Sequence, residues 1–175
     1  LITTDTLVEG THFNLSYTGW NDLGWKSIVI NISDIYAMGG RPQYAIVSLS
    51  IPGKYYVSNI LELYEGMIHA CNKYNAAIVG GNLSSSKNMV INVTQSGIAG
   101  RRMRSRSSAK KGDLIAVMGY TGLSAAWLKA SNEKREDVAP SAFKLFKAAH
   151  LHPEPPFDSG PILVACGVKS GIDIS

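Results

Sequence analysis

The chain has 175 residues, 45% of them hydrophobic and 17% charged, with a formal net charge of +4. That is long and apolar enough for a packed core in one domain or two small ones. No apolar run approaches the roughly 20 residues of a membrane span and no signal-peptide pattern is visible, which excludes a transmembrane reading and makes a cytoplasmic location the expectation. Two widely separated cysteines, Cys71 and Cys166, lie in apolar helical patterns, so reduced core thiols are expected and no Cys-x-x-Cys pair supports zinc.

In chain order, Leu1 to Val8 reads as a strand leading to a turn at Gly10. Asn21 or Asp22 is placed to cap a helix in which Trp25, Ile28, Ile32, Ile35 and Tyr36 recur at helical spacing, and Gly39-Gly40 followed by Pro42 stops it. Tyr44 to Ser50 alternates as a strand, and Pro52-Gly53 turns the chain. Ser58 caps a second predicted helix, with Leu61, Tyr64, Met67, Ile68 and Cys71 on its buried side. Ala76 to Val79 reads as a short buried strand ending at Gly80-Gly81, Asn82 to Asn88 as a polar loop, and Met89 to Ala99 as a long alternating strand.

A boundary is expected near residue 100, where Arg101, Arg102, Arg104, Arg106, Lys110 and Lys111 crowd together and leave the rest of the chain close to neutral. Beyond it, Leu114 to Met118 reads as a strand, Thr121-Gly122 opens a helix running to Lys129, and Ser131 to Asp137 reads as a loop or lid. Pro140 begins another helix ending before Pro153, Asp158 to Val168 a third, and Asp173 is expected at a strand end. The mixture predicts an α+β architecture, with α/β second. Residues 1–100 are expected to form one domain and 101–175 the first part of an incomplete second one. Leu1 opens within a strand-like run and Gly171 to Ser175 ends on an unfinished pattern, so a piece of a longer protein is expected.

Asp5 follows an apolar strand start beside Thr3 and Thr4, where it suits either a cation or a turn. Asp34 falls near the buried stripe of its helix, so its charge must be paired, hydrogen-bonded or metal-bound. Gly80-Gly81-Asn82 would let a backbone approach phosphate, although most such pairs are simple turns. Neither a Walker loop nor a Gly-x-Gly-x-x-Gly fingerprint is present. His12 reads as a substrate contact, a base or a structural imidazole, and Tyr64 as a core residue or a ring stacked on a base. Hard oxygen ligands on separate elements are how a protein holds Mg²⁺ against phosphate without a dedicated cage. The basic stretch has no interleaved aromatics, so nucleic acid is the least favoured partner.

Several segments in order carry a resemblance: Thr4-Asp5-Thr6-Leu7-Val8-Glu9-Gly10-Thr11-His12-Phe13, Asn31-Ile32-Ser33-Asp34-Ile35, Ala37-Met38-Gly39-Gly40-Arg41-Pro42, Gly80-Gly81-Asn82, Arg106-Ser107-Ser108-Ala109-Lys110-Lys111-Gly112-Asp113 and Asp173-Ile174-Ser175. Together they resemble the thiamine-monophosphate kinases, members of an ATP-binding superfamily that includes aminoimidazole ribonucleotide synthetase and selenophosphate synthetase. The resemblance implies Mg²⁺-assisted, in-line transfer of phosphate from ATP to thiamine monophosphate. It implies an N-terminal mixed sheet packed on helices and a homodimer paired through those sheets. It places Thr3, Thr4, Asp5, Asp34, Asn82 and Asp173 on Mg²⁺ positions and His12 on the acceptor substrate. Tyr64, Gly81, Asn82, Arg106 and Ser175 fall on ATP positions, with Asp34 and Arg106 as the residues that carry catalysis. Two departures stand out: Asn82 replaces the usual Asp after Gly-Gly, and Pro156-Phe157 replaces the usual Pro-Arg. The competing readings are another enzyme of the superfamily and a non-catalytic nucleotide-binding relic.

Overall fold

The computed structural model describes residues 1–100, 103–135 and 137–174. Four strands form one mixed sheet: β1 (Ile2–Val8), β2 (Gly40–Ile51), β3 (Ala77–Ser85) and β4 (Val90–Ala99), in the order β1-β4-β2-β3. The pairs β1/β4 and β2/β4 are antiparallel, and β2/β3 is parallel. Helices α1 (Trp20–Ala37) and α2 (Val57–Lys73) are the long helices between strands, and α2 makes the crossover that a parallel β2/β3 pair requires. This is the α+β architecture the sequence predicts.

Alternation decides the core. Ala45, Val47 and Leu49 of β2 and Ile91 and Val93 of β4 point to one face, where they meet Trp25, Ile28 and Ile32 of α1 and Leu63 and Met67 of α2. The two helices touch backbone to backbone: a Cβ on Gly66 would lie 1.9 Å from the Asn21 carbonyl oxygen, so only glycine fits there. The opposite sheet face carries Thr4, Thr6, Asn92, Thr94 and Ser48, with Ile2, Tyr44 and Ile46 exposed beside them.

The contacts group Leu1–Ala109 with Pro155–Ser175 as one compact unit and Lys110–Glu154 as a second, a different partition from a cut at residue 100. The first unit also holds a short 3₁₀ helix (Arg106–Ser108) and, beyond the second unit in sequence, a last helix, Ser159–Ala165. Within the second unit α3 (Leu123–Asn132) packs on α4 (Pro140–Leu151), where Ser124 Oγ lies 2.8 Å from His150 Nδ1 and Trp127 stacks on the same ring. The last helix is labelled α5. Among the described residues no helix is long and apolar enough to cross a membrane.

Several local expectations are corrected. α1 starts one residue before Asn21, with Gly19 rather than a polar side chain at its cap, and Asp22 instead sits in the first turn, where its charge suits the helix dipole. Leu61 (61% exposed) and Ile68 (50% exposed) lie off the buried stripe of α2, which is Leu63, Gly66, Met67, Ala70 and Cys71. The periodicity permitted both phases, and packing against α1 selected one. β3 does not stop at Val79: its ladder with β2 continues through Ser85, and an exposed edge strand needs no apolar side chains. Residues 114–118 form no strand, and Leu114 (99% exposed) and Ile115 (95% exposed) meet no pairing partner among the described residues. Asp173 likewise sits on irregular chain rather than at a strand end, and α5 is shorter than the predicted helix. Cys166 is exposed, unlike the buried Cys71.

Candidate active site

Asp34 lies in the last turn of α1, which packs beside β1. Strand alternation turns Thr3 and Asp5 toward that helix and Thr4 away from it. The Thr3 hydroxyl donates to Asp34 Oδ2 at 2.5 Å. Asp173 arrives on the segment after α5, within hydrogen-bonding range of Asp34. Its Oδ2 is buried without a hydrogen-bond partner among the described residues.

Three carboxyls therefore feel one another. Burial, followed by the Asp173 carboxyl and the Asp5 charge, pushes Asp34 up to about 6 against the opposing Thr3 hydrogen bond. Asp5 is also raised, by burial first and by Asp173 second, while His12 pulls it down. A cation would relieve this crowding. Among the described residues, however, no three of His, Cys, Asp and Glu converge closely enough to hold a metal by themselves. Asp34 and Thr3 line a cavity of about 400 Å³ with Leu1, Met38, Ser105 and Arg106. The Arg106 guanidinium thus shares a cavity with Asp34.

His12 sits in the turn after β1. Its Nδ1 accepts the Val8 N–H at 3.1 Å, which leaves the proton of a neutral ring on Nε2. The turn is clamped by Glu9, whose Oε1 accepts the Tyr55 hydroxyl at 2.5 Å and the Lys54 ammonium at 3.5 Å, and whose Oε2 accepts the Met89 N–H at 3.1 Å. Burial pushes the Glu9 carboxyl up, but the bonds from Tyr55 and Met89 and the Lys54 charge outweigh it, so Glu9 titrates below the usual range. Sequence reading missed this clamp. Its partners are separated by up to 80 residues, and no spacing rule connects them.

The remaining candidates lie elsewhere in the chain. Thr4 belongs to a hydroxyl and amide ladder on the open sheet face, where Asn92 Nδ2 donates to Thr6 Oγ1 at 2.7 Å and to Thr4 Oγ1 at 3.3 Å. Asn82 pairs in register with Ser48 on that face, and Gly81 pairs with Val47. A Cβ on Gly81 would lie 2.0 Å from the Val47 carbonyl oxygen, so a close strand approach explains this glycine. Asn82 and Asp5 are three strands apart, roughly 14 Å at ordinary strand spacing, so one chain does not bring them together. Tyr64 packs half-buried against the core on α2. Ser175 lies outside the described residues, as do Arg101 and Arg102 of the basic stretch.

A mixed sheet covered by helices on one face, with carboxyls and an arginine gathered at the end of the first helix, defines the class. The chain belongs to the AIR synthase related family: residues 1–99 match the model described as "AIR synthase related protein, N-terminal domain". More particularly, it is 38% identical over 158 residues to the thiamine-monophosphate kinase of Bacillus subtilis, covering 89% of this chain and 49% of that protein. It is 39% identical over 153 residues to the Aquifex aeolicus enzyme of the same name, covering 87% and 49%. The crystal structure of the Aquifex aeolicus thiamine monophosphate kinase superposes with a TM-score of 0.83 at 36% identity, over 93% of this chain and 54% of that one. A further structure, AaThiL complexed with AMPPCP and TMP, gives the same score and identity over 93% and 52%. The chain spans about half the length of the curated relatives it matches.

Proposed function

We propose that the protein to which this chain belongs transfers phosphate from ATP to thiamine monophosphate, giving thiamine diphosphate. The observation that carries this reading is the cavity shared by Thr3, Asp34 and Arg106, with the Asp173 carboxyl set against Asp34, in a chain this similar to thiamine-monophosphate kinases. The relative complexed with AMPPCP, a non-hydrolysable ATP analogue, and TMP supports both substrates.

The donor set suits Mg²⁺. It offers hard oxygens, a buried carboxylate oxygen on Asp173 with no hydrogen-bond partner among the described residues, and carboxyls whose mutual repulsion a divalent cation offsets. Mg²⁺ is ordinarily held by one or two carboxylates together with substrate phosphates, so a site without three tight protein ligands is compatible with it. Thr3, Asp34 and Asp173 would hold it, with Asp5 close by. An ion held there would supply positive charge against the repulsion between two phosphates. Arg106 adds a fixed positive charge on the same cavity. His12, its ring oriented by the Val8 N–H, presents Nε2–H to the acceptor phosphate. An acceptor phosphate oxygen is already nucleophilic at neutral pH, so no strong base is required and catalysis consists of alignment and charge stabilisation.

Residues 1–100 are proposed to form the nucleotide- and Mg²⁺-binding and dimerisation domain, completed by Arg106 and Asp173 from the following residues, and 101–175 to form the first part of a second domain. A cytoplasmic homodimer paired through the open sheet faces accounts for the exposure of Ile2, Tyr44 and Ile46 beside the polar ladder. A coupled assay of the full-length protein with ATP, Mg²⁺ and thiamine monophosphate tests the reading. ADP should form with thiamine monophosphate and not with unphosphorylated thiamine. An inert enzyme with thiamine monophosphate overturns it.

A further inference from the structure

Among the described residues of the basic stretch, one is buried. Arg104 is 4% exposed, whereas Arg106, Lys110 and Lys111 face solvent. Its Nη2 donates to the Tyr36 carbonyl at the C-terminal end of α1, and its backbone N–H donates to the Met38 carbonyl at 3.1 Å. α1 has no basic residue in its own last turn. Arg104 therefore supplies from a remote segment both the donor and the positive charge that a helix C-terminus attracts. Burial lowers its pKa, yet a guanidinium stays protonated. One glycine makes room for it: a Cβ on Gly171 would lie 3.2 Å from its Nη1 and 2.8 Å from the Ala37 carbonyl oxygen.

Two chain segments meet at this side chain. Ser105 N–H donates to the Lys169 carbonyl at 3.2 Å, and Ser170 Oγ donates to the Arg106 carbonyl at 3.4 Å. The segment carrying Arg106 is thus stitched to the segment carrying Asp173, and Arg104 fastens both to the helix that carries Asp34. We infer that Arg104 is a positioning residue that sets Arg106 on the cavity lined by Thr3 and Asp34, and Asp173 against Asp34. This rests on the proposed nucleotide and Mg²⁺ site, and it adds a residue that touches neither ligand.

The test uses the full-length protein with Arg104→Met, Arg104→Lys and Arg106→Ala. Hydrogen exchange comes first. Arg104→Met should speed exchange in residues 103–106 and 169–173 while the β2 and β4 amides stay protected. Kinetics come second. Arg104→Met should raise the KM for ATP about tenfold and leave the KM for thiamine monophosphate within about twofold, because only the nucleotide side of the cavity is displaced. Arg104→Lys, which keeps the charge without the planar fork, should fall between wild type and Arg104→Met. A residue that only stabilises the fold would lower the active fraction, and so kcat, with both KM values unchanged. That result overturns the inference, as does a raised KM without faster exchange in the two segments. If Arg104→Met does not fold, the same comparisons are read from Arg104→Lys. If Arg106→Ala leaves the KM for ATP unchanged, the nucleotide reading of the cavity itself fails. If Arg106→Ala raises that KM and the Arg104 variants do not, only the positioning role fails.

Discussion

The end of α1 and the free edge of the sheet hold the two most suggestive polar motifs of the chain, and they behave as opposites. Asp34 is partly buried beside two other carboxyls and a threonine, and it titrates near 6. Asn82 stands on an exposed edge strand, in register with Ser48. The first is an arrangement that folding alone does not favour, since like charges are brought together where water is thinned. The second costs the fold almost nothing. Unfavourable local chemistry held in place by the surrounding structure points to function more strongly than a motif does.

The sharpest way to break this contrast is Asp34→Ala in the full-length protein. Turnover should fall by about 10³-fold or more, the scale seen when a principal electrostatic group is lost, while the melting temperature holds or rises because a repelling charge has gone. Activity near wild type in a coupled assay would remove Asp34 from the mechanism. Next in size is a purely structural change on the covered side of the sheet. Gly66→Ala forces a methyl into the α1 backbone and should cost about 2–3 kcal/mol in denaturant unfolding, as overpacking does. An unchanged midpoint would mean that the helices do not cross at this contact.

A smaller effect is expected at the edge strand. Asn82→Ala should change the KM for ATP or the Mg²⁺ requirement by no more than about tenfold, and Asn82→Asp should lower the Mg²⁺ concentration for half-maximal rate by adding a charge. A loss as large as that of Asp34→Ala would make the two regions equivalent. The smallest effect is in the metal-free protein. Asp34 titrates at about 6 in the folded chain against an ordinary 3.8, so between those values the folded state holds the extra proton and stability falls as pH rises. The melting temperature should therefore be higher near about pH 5 than near about pH 7.5, and Asp34→Asn should flatten that part of the profile. A profile rising over the same interval in wild type would contradict the carboxyl cluster.

The sequence by itself determined the long elements and the local motifs. The alternation in β4, the helical spacing of Trp25, Ile28 and Ile32, the stop at Gly39 and the pairing of Thr3 and Asp5 on one side of β1 are all short-range properties, read within a turn or a strand. It also marked Asp34 as a charge in need of a partner. Tertiary structure alone decided the rest. It chose the face of α2, carried β3 past its glycines, placed Asp173 against Asp34, separated Asn82 from both, and buried Arg104 while leaving Arg106 exposed. The physical reason is the range of the interactions. Periodicity and capping act over a few residues, whereas burial, carboxyl repulsion and the Arg104 anchor join residues up to about 140 positions apart, which no local pattern encodes.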